Sequence, residues 1–93
     1  MKEPLTDRVA VVTGASSGIG AAIATAFAQE GARVVLAARR ADKLASVKAK
    51  IEAGGGHAIV VDCDVSREDD IVALFAEVQR AYGRVDVLVN NAG

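Results

Sequence analysis

The stretch Thr13-Gly14-Ala15-Ser16-Ser17-Gly18-Ile19-Gly20 constrains this chain more than any other. It follows the apolar run Val9-Ala10-Val11-Val12 and leads into an alanine-rich helical pattern, Ala21 to Glu30. A glycine-rich turn between a strand and a helix is a physical device for holding phosphate. Gly14 can adopt the backbone angles of a tight turn, and Gly18 has no side chain to keep a pyrophosphate away from the backbone. Gly20 lets the first helical turn lie close against the strand before it. The helix aims its unpaired N–H groups and the positive end of its dipole at the same place. Gly14, Ala15, Ser16, Ser17, Gly18, Ile19 and Gly20 are therefore candidates for cofactor binding.

The spacing narrows the choice of ligand. A mononucleotide phosphate loop ends in Gly-Lys-Ser/Thr, whereas Gly20 is followed by Ala21-Ala22. The glycines run Gly-x3-Gly-x-Gly after a threonine. In this form TGASSGIG resembles the cofactor loop of the short-chain dehydrogenase/reductase family.

The rest of the chain alternates strand and helix. Residues 1–7 read as a polar lead-in, with Pro4 suited to an extended entry. Arg8 to Thr13 is the first strand, its apolar residues consecutive as in a parallel strand covered on both faces. In the first helix Ile19, Ile23, Ala26 and Phe27 share a face, and Gly31 stands just past the end. Arg33 to Ala38 is a second buried strand. A helix over Ala41 to Ala53 turns Leu44, Val47 and Ile51 inward and stops at Gly54-Gly55-Gly56. His57 to Asp62 is the third strand, and Ser66-Arg67-Glu68-Asp69 reads as an N-cap followed by first-turn acids. Ile71, Leu74, Phe75, Val78 and Tyr82 form the stripe of the third helix, which Gly83 ends. Val85 to Val89 is the fourth strand. This β-α-β-α-β-α-β order predicts an α/β fold, a Rossmann-type doubly wound parallel sheet in part, with four strands in the order 3-2-1-4 and three helices. Residues 1–93 are expected to be one incomplete NAD(P)-binding domain.

The end of the second strand bears on cofactor choice. An NAD-preferring site usually carries an acid there, bonded to the ribose 2′-OH. Here the position is Ala38, followed by Arg39 and Arg40. A guanidinium pairs with a 2′-phosphate in a planar, forked geometry, which makes Arg39 the candidate for NADP selection and Arg40 the weaker one. The alternative is that both are solvated charges at a helix start, although arginine is unfavourable there on dipole grounds.

Further matches extend the resemblance along the chain. Asp64-Val65 matches an Asp–Val pair that lines the adenine pocket in the family, the acid accepting from the exocyclic amine; an ordinary turn is the other reading. Asn90-Asn91-Ala92-Gly93 matches the NNAG motif, which implies cofactor contact for Asn91 and a structural role for Asn90. The resemblance implies hydride transfer between NADP(H) and an alcohol or carbonyl substrate. The family's catalytic serine, Tyr-x3-Lys pair and helix asparagine lie beyond NNAG, so no catalytic residue is expected within residues 1–93. Tyr82, the only tyrosine, is followed by Asp86 rather than lysine four positions on.

Composition excludes other classes. A formal net charge of −1 gives no electrostatic case for nucleic acid. No apolar run is long enough for a membrane span. The single cysteine, Cys63, fits a reducing compartment and a small buried role, so the cytoplasm is expected. Asp62 and Asp64 lack a third ligand, so no metal is expected, and His57 reads as a strand-start residue. Two function classes stand: the cofactor half of an oxidoreductase, or a nucleotide-binding or interaction module without chemistry. The apolar fourth strand, with no neighbour to cover it, favours the first. Substrate, reaction direction and the choice between monomer and homo-oligomer are not encoded in these residues.

Overall fold

A computed structural model describes residues 5–39 and 41–91. Pro4, Arg40, Ala92 and Gly93, each given a reading above, lie outside the described residues. The elements are β1 (Val9–Thr13), α1 (Gly18–Gln29), β2 (Arg33–Ala38), α2 (Ala41–Ala53), β3 (His57–Asp62), α3 (Glu68–Tyr82) and β4 (Val87–Asn90). The four strands form one parallel sheet in the order β3-β2-β1-β4. Val11 stands between Val35 and Leu88 in register, and Val35 pairs onward with Ile59.

The consecutive apolar residues of β1 and β2 divide between two cores. Ala10, Val12, Val34 and Leu36 point to the layer of α1 and α2, where Ala24, Leu44 and Ile51 meet them. Val9, Val11, Val35 and Ala37 point the other way, against Leu74 and Val78 of α3. Alternate residues thus serve opposite faces, so a strand with no polar face is what the fold requires.

Two glycines end helices as their positions predict: Gly31 and Gly83 take φ of 94° and 77°, left-handed values that cost glycine little. Local expectations fail at four places. Ile19 is 69% exposed and Ala26 is also exposed, so the inward stripe of α1 is not theirs. The inward residues are Gly20 and Ala24, flanked by Ile23, Phe27 and Ala28. The helix lies so close to β1 that its line of contact is glycine and alanine, and Ile19 is turned off it. Ser66 does not cap α3; the N-cap position is Arg67, with no side-chain cap bond. The Ser66 hydroxyl bonds Asp64 instead, at 2.6 Å. Leu5 to Asp7 form a turn, with the Leu5 N–H on the Glu30 carbonyl at 2.8 Å.

The fourth departure is at β4, which begins at Val87 rather than Val85. Asp86 precedes it and pairs with β1 in an unusual way. Its N–H donates to the Val9 carbonyl at 2.9 Å, and its Oδ2 accepts the Val9 N–H at 2.8 Å. The side chain thereby takes the place of a ladder carbonyl. Arg84 at 2.6 Å and Arg8 at 3.5 Å hold Oδ1. Leu88 within β4 is 54% exposed and Val85, just before it, 41%. Together with Ile71 and Phe75 of α3, Leu88 borders an apolar groove of about 190 Å³. Among the described residues no helix is long and apolar enough to cross a membrane.

Candidate cofactor site

The carboxyl ends of all four strands open on one side of the sheet, where a doubly wound fold presents its loops. A cleft of about 550 Å³ lies there, bordered by Gly14, Ser16 and Ser17 from the first loop. Ala38 and Arg39 border it from β2, Asp64 and Val65 from β3, and Asn91 from β4. Residues far apart in sequence are thus brought to one concave surface. Ala15, Gly18, Ile19 and Gly20 do not border it: Ala15 is buried, Gly20 lies beneath the loop, and Gly18 and Ile19 are exposed on the first turn of α1.

The loop is built from side chains that sequence reasoning assigned to other roles. Gly14 takes φ of 64°, the left-handed conformation a tight turn needs. Ser17 is the N-cap of α1: its Oγ accepts the Gly20 N–H at 3.0 Å and donates to the Gly14 carbonyl at 3.1 Å. A serine immediately before a helical pattern is a readable cap signal. The Asn91 amide then reaches across from β4. Its Nδ2 donates to Ser17 Oγ at 2.9 Å and to the Gly14 carbonyl at 3.2 Å. Thr13 braces the same junction, its hydroxyl 3.1 Å from Asn90 Oδ1 and accepting the Asn91 N–H at 3.2 Å. No local pattern foretells these bonds between β4 and the loop, because they span 74 to 78 residues.

Two glycines have opposite surroundings. A Cβ on Gly20 would fall 2.3 Å from the Gly14 carbonyl oxygen, 2.9 Å from Asn91 Nδ2 and 3.0 Å from Ala15 Cα. Around Gly18 a Cβ would meet nothing within 4 Å. Gly20 therefore serves packing, while the backbone at Gly18 is open to approach. The first helical bond of α1 runs from the Ala21 N–H to the Ser17 carbonyl at 2.8 Å. Among the described residues nothing accepts from the N–H groups of Gly18 or Ile19. Two free donors at a helix N-terminus suit an anionic group, and the open space at Gly18 leaves room for one.

Asp64 and Arg39 both border the cleft. Bonds from the Ser66 hydroxyl and N–H hold its carboxyl below the usual carboxylate range, and the Arg39 and Arg67 charges add to this. The carboxylate is accordingly ionised and acts purely as an acceptor. Arg39 is exposed and forms no ion pair among the described residues. Val65 packs on the α3-side core while bordering the cleft. Cys63 is buried, and burial, followed by Asp70, Asp64 and Asp62, pushes its thiol up, away from thiolate chemistry. His57 stands exposed at the start of β3, at the other end of the strand from the cleft.

A parallel sheet in this order, with a capped glycine loop at its centre, defines the class: the first half of a dinucleotide-binding fold. The chain belongs to the short-chain dehydrogenase family, whose family model, described as short chain dehydrogenase, matches residues 8–93. It is 49% identical over 87 residues to 3beta-hydroxysteroid dehydrogenase of Mediterraneibacter gnavus, covering 94% of this chain and 32% of that protein. It is 53% identical over 87 residues to farnesol dehydrogenase of Aedes aegypti, covering 92% and 36%. Among solved structures, a metagenomic short-chain oxidoreductase in complex with NADP superposes with a TM-score of 0.92 at 56% identity, over 96% of this chain and 40% of that one. The hydroxysteroid dehydrogenase of Escherichia coli gives a TM-score of 0.93 at 42% identity, over 96% and 38%. The chain spans about a third of the length of these curated relatives.

Proposed function

We propose that residues 1–93 form a single, incomplete dinucleotide-binding domain, the NADP(H)-binding half of a cytoplasmic oxidoreductase. The complete enzyme would interconvert an alcohol and a carbonyl compound. The observation that carries this reading is the cleft, which gathers Gly14, Ser16, Ser17, Arg39, Asp64, Val65 and Asn91 from four separate segments. NADP(H), when bound, would donate the hydride to the carbonyl or accept it from the alcohol. The chain's own residues bind and orient it. The free N–H groups of Gly18 and Ile19 take the pyrophosphate, with Gly18 allowing its approach and Ala15, Ser16 and Gly20 shaping the loop. Asp64 accepts from the adenine amine, and Val65 lies along the ring edge. Arg39 pairs with the 2′-phosphate, and Ala38, which is 6% exposed, offers no carboxylate to repel it. Asn91 lies beside the cofactor while holding the loop. The exposed Leu88 edge supports a longer parent protein in which further chain covers β4.

The test is equilibrium titration with NADPH and NADH. A bond to a charged group is worth about 1.5–3 kcal/mol, so NADPH should bind roughly 10- to 150-fold more tightly. Arg39→Ala should remove most of that difference and leave NADH affinity nearly unchanged. Equal affinity for the two dinucleotides in the unaltered chain refutes the assignment.

A further inference from the structure

The Asp64 carboxylate is held in place by residues that the cofactor assignment does not use. Its Oδ1 accepts twice from one neighbour, from the Ser66 N–H at 2.9 Å and the Ser66 hydroxyl at 2.6 Å. Its own N–H donates to Asp70 Oδ2 at 2.9 Å. Asp70 stands in the first turn of α3, and its carbonyl lies 3.7 Å from the buried Cys63 thiol. The backbone at Asp64 is therefore tied to a helix, and the carboxyl group is tied to the following turn. With Oδ1 doubly occupied, Oδ2 has no partner among the described residues, and Asp64 borders the cleft.

We propose that Ser66 and Asp70 are positioning residues that present Asp64 Oδ2 as the one carboxylate acceptor offered to the ligand's base, so that the site selects a purine with an amino group at its 6-position over one with a carbonyl there. This rests on the dinucleotide reading and adds base selectivity and its source. The chemistry follows from charge. An ionised carboxylate only accepts, and adenine offers an N–H donor at that edge, whereas a 6-oxo purine offers an acceptor. A carbonyl oxygen facing Oδ2 loses the bond and meets like partial charge. A carboxylate free to rotate would discriminate less, because it could swing aside or admit water between itself and the carbonyl.

The experiment compares NADPH with its deamino analogue, nicotinamide hypoxanthine dinucleotide phosphate, by titration of the chain. The analogue keeps the 2′-phosphate, pyrophosphate and nicotinamide, so the ratio of the two affinities isolates the 6-position. The unaltered chain should favour NADPH about 10- to 100-fold, in line with a hydrogen bond to a charged acceptor. Ser66→Ala should lower that ratio about three- to tenfold, and Ser66→Thr, which keeps the hydroxyl, should restore it. Asp70→Asn, which still accepts the Asp64 N–H, should resemble the unaltered chain, whereas Asp70→Ala should resemble Ser66→Ala. Circular dichroism and urea midpoints identify any variant that has lost its fold, and the exposed Ser66 pair then carries the test alone. If Ser66→Ala weakens both dinucleotides equally, with the ratio unchanged, the residue is merely structural and the proposal is overturned. Equal affinity for the two in the unaltered chain overturns it while leaving the NADPH-over-NADH preference standing. Failure to bind NADPH at all removes the dinucleotide reading and this inference together.

Discussion

Alanine at Gly20 and alanine at Gly18 should have opposite effects, although the two sites are two positions apart. At Gly20 the added Cβ lies 2.3 Å from the Gly14 carbonyl oxygen and 3.0 Å from Ala15 Cα, both backbone atoms. Reaching ordinary contact distance means opening the helix–strand gap by roughly 1 Å. The same Cβ falls 2.9 Å from Asn91 Nδ2, so the amide that bonds Gly14 and Ser17 must also move. Overpacking costs about 1–3 kcal/mol, and each displaced hydrogen bond about 1 kcal/mol. Against this stands a helix-propensity gain of at most about 1 kcal/mol. The net loss is about 2–4 kcal/mol, which for a domain of this size lowers Tm by roughly 10–25 °C. At Gly18 no atom lies within 4 Å of the added methyl. Gly18→Ala should therefore leave stability unchanged or raise it by up to about 1 kcal/mol. Urea midpoints of the two variants and the unaltered chain, with NADPH titrations alongside, make the comparison. A Gly20→Ala variant as stable as the unaltered chain would refute the reasoning, because it would mean that α1 does not lie against the loop as described.

Gly18→Val should abolish NADPH binding while preserving the far-UV circular dichroism of the helices, since the branched side chain occupies the place of the pyrophosphate; binding retained in a titration would show that phosphate does not approach this backbone. The bond from Arg84, then the Val9 N–H, hold the Asp86 carboxyl below its ordinary range. A depressed carboxyl stabilises the fold fully above the unfolded-chain value of about 3.9 and loses that contribution as pH falls through the folded value. Urea midpoints of the unaltered chain should thus fall more steeply below about pH 4 than those of Asp86→Asn, and parallel pH profiles would count against the pin. Residues 1–93 alone should show no NADPH oxidation with ketones or aldehydes, because a positioned general acid, typically worth about 10²–10⁴-fold, is absent from the proposed assignments. Turnover that disappears in Gly18→Val would place catalytic groups within these residues.

What was legible in the sequence is what local chemistry or the family resemblance dictates. Positive φ at Gly14, Gly31 and Gly83, the two-faced burial of β1 and β2, and the inward Leu44 and Ile51 follow from residue type and period. The strand order came with the dinucleotide-binding plan. Where reading failed, small or distant partners decided the outcome. Ile19 drew the α1 stripe out of phase because large apolar side chains dominate a pattern, while the true contact line is Gly20 and Ala24. Ser66 had two competing uses, and the nearby Asp64 carboxylate outbid the helix N–H groups. Asp86 read as part of the fourth strand because its partner, the Val9 N–H, is 77 residues away and invisible to local pattern. Asn91 read as a cofactor contact; its bonds to Gly14 and Ser17, equally remote, needed the folded sheet to bring them together.

The Asn91 tie has a consequence for the order of events in synthesis. The loop that opens α1 is made early, yet one of its internal supports is the side chain of a residue 74 positions after Ser17. At about 5–20 residues per second, that support follows by roughly 4–15 s. In that interval the glycine turn can form its local Ser17 bonds but not its final bracing. β1 likewise waits for β4, so this pairing closes after those of β1 with β2 and β2 with β3, and over the longest loop among the described strands. Nascent chains carrying the first three strands and helices therefore expose one side of the most apolar strand, and they do so for the length of time in which a chaperone can engage them.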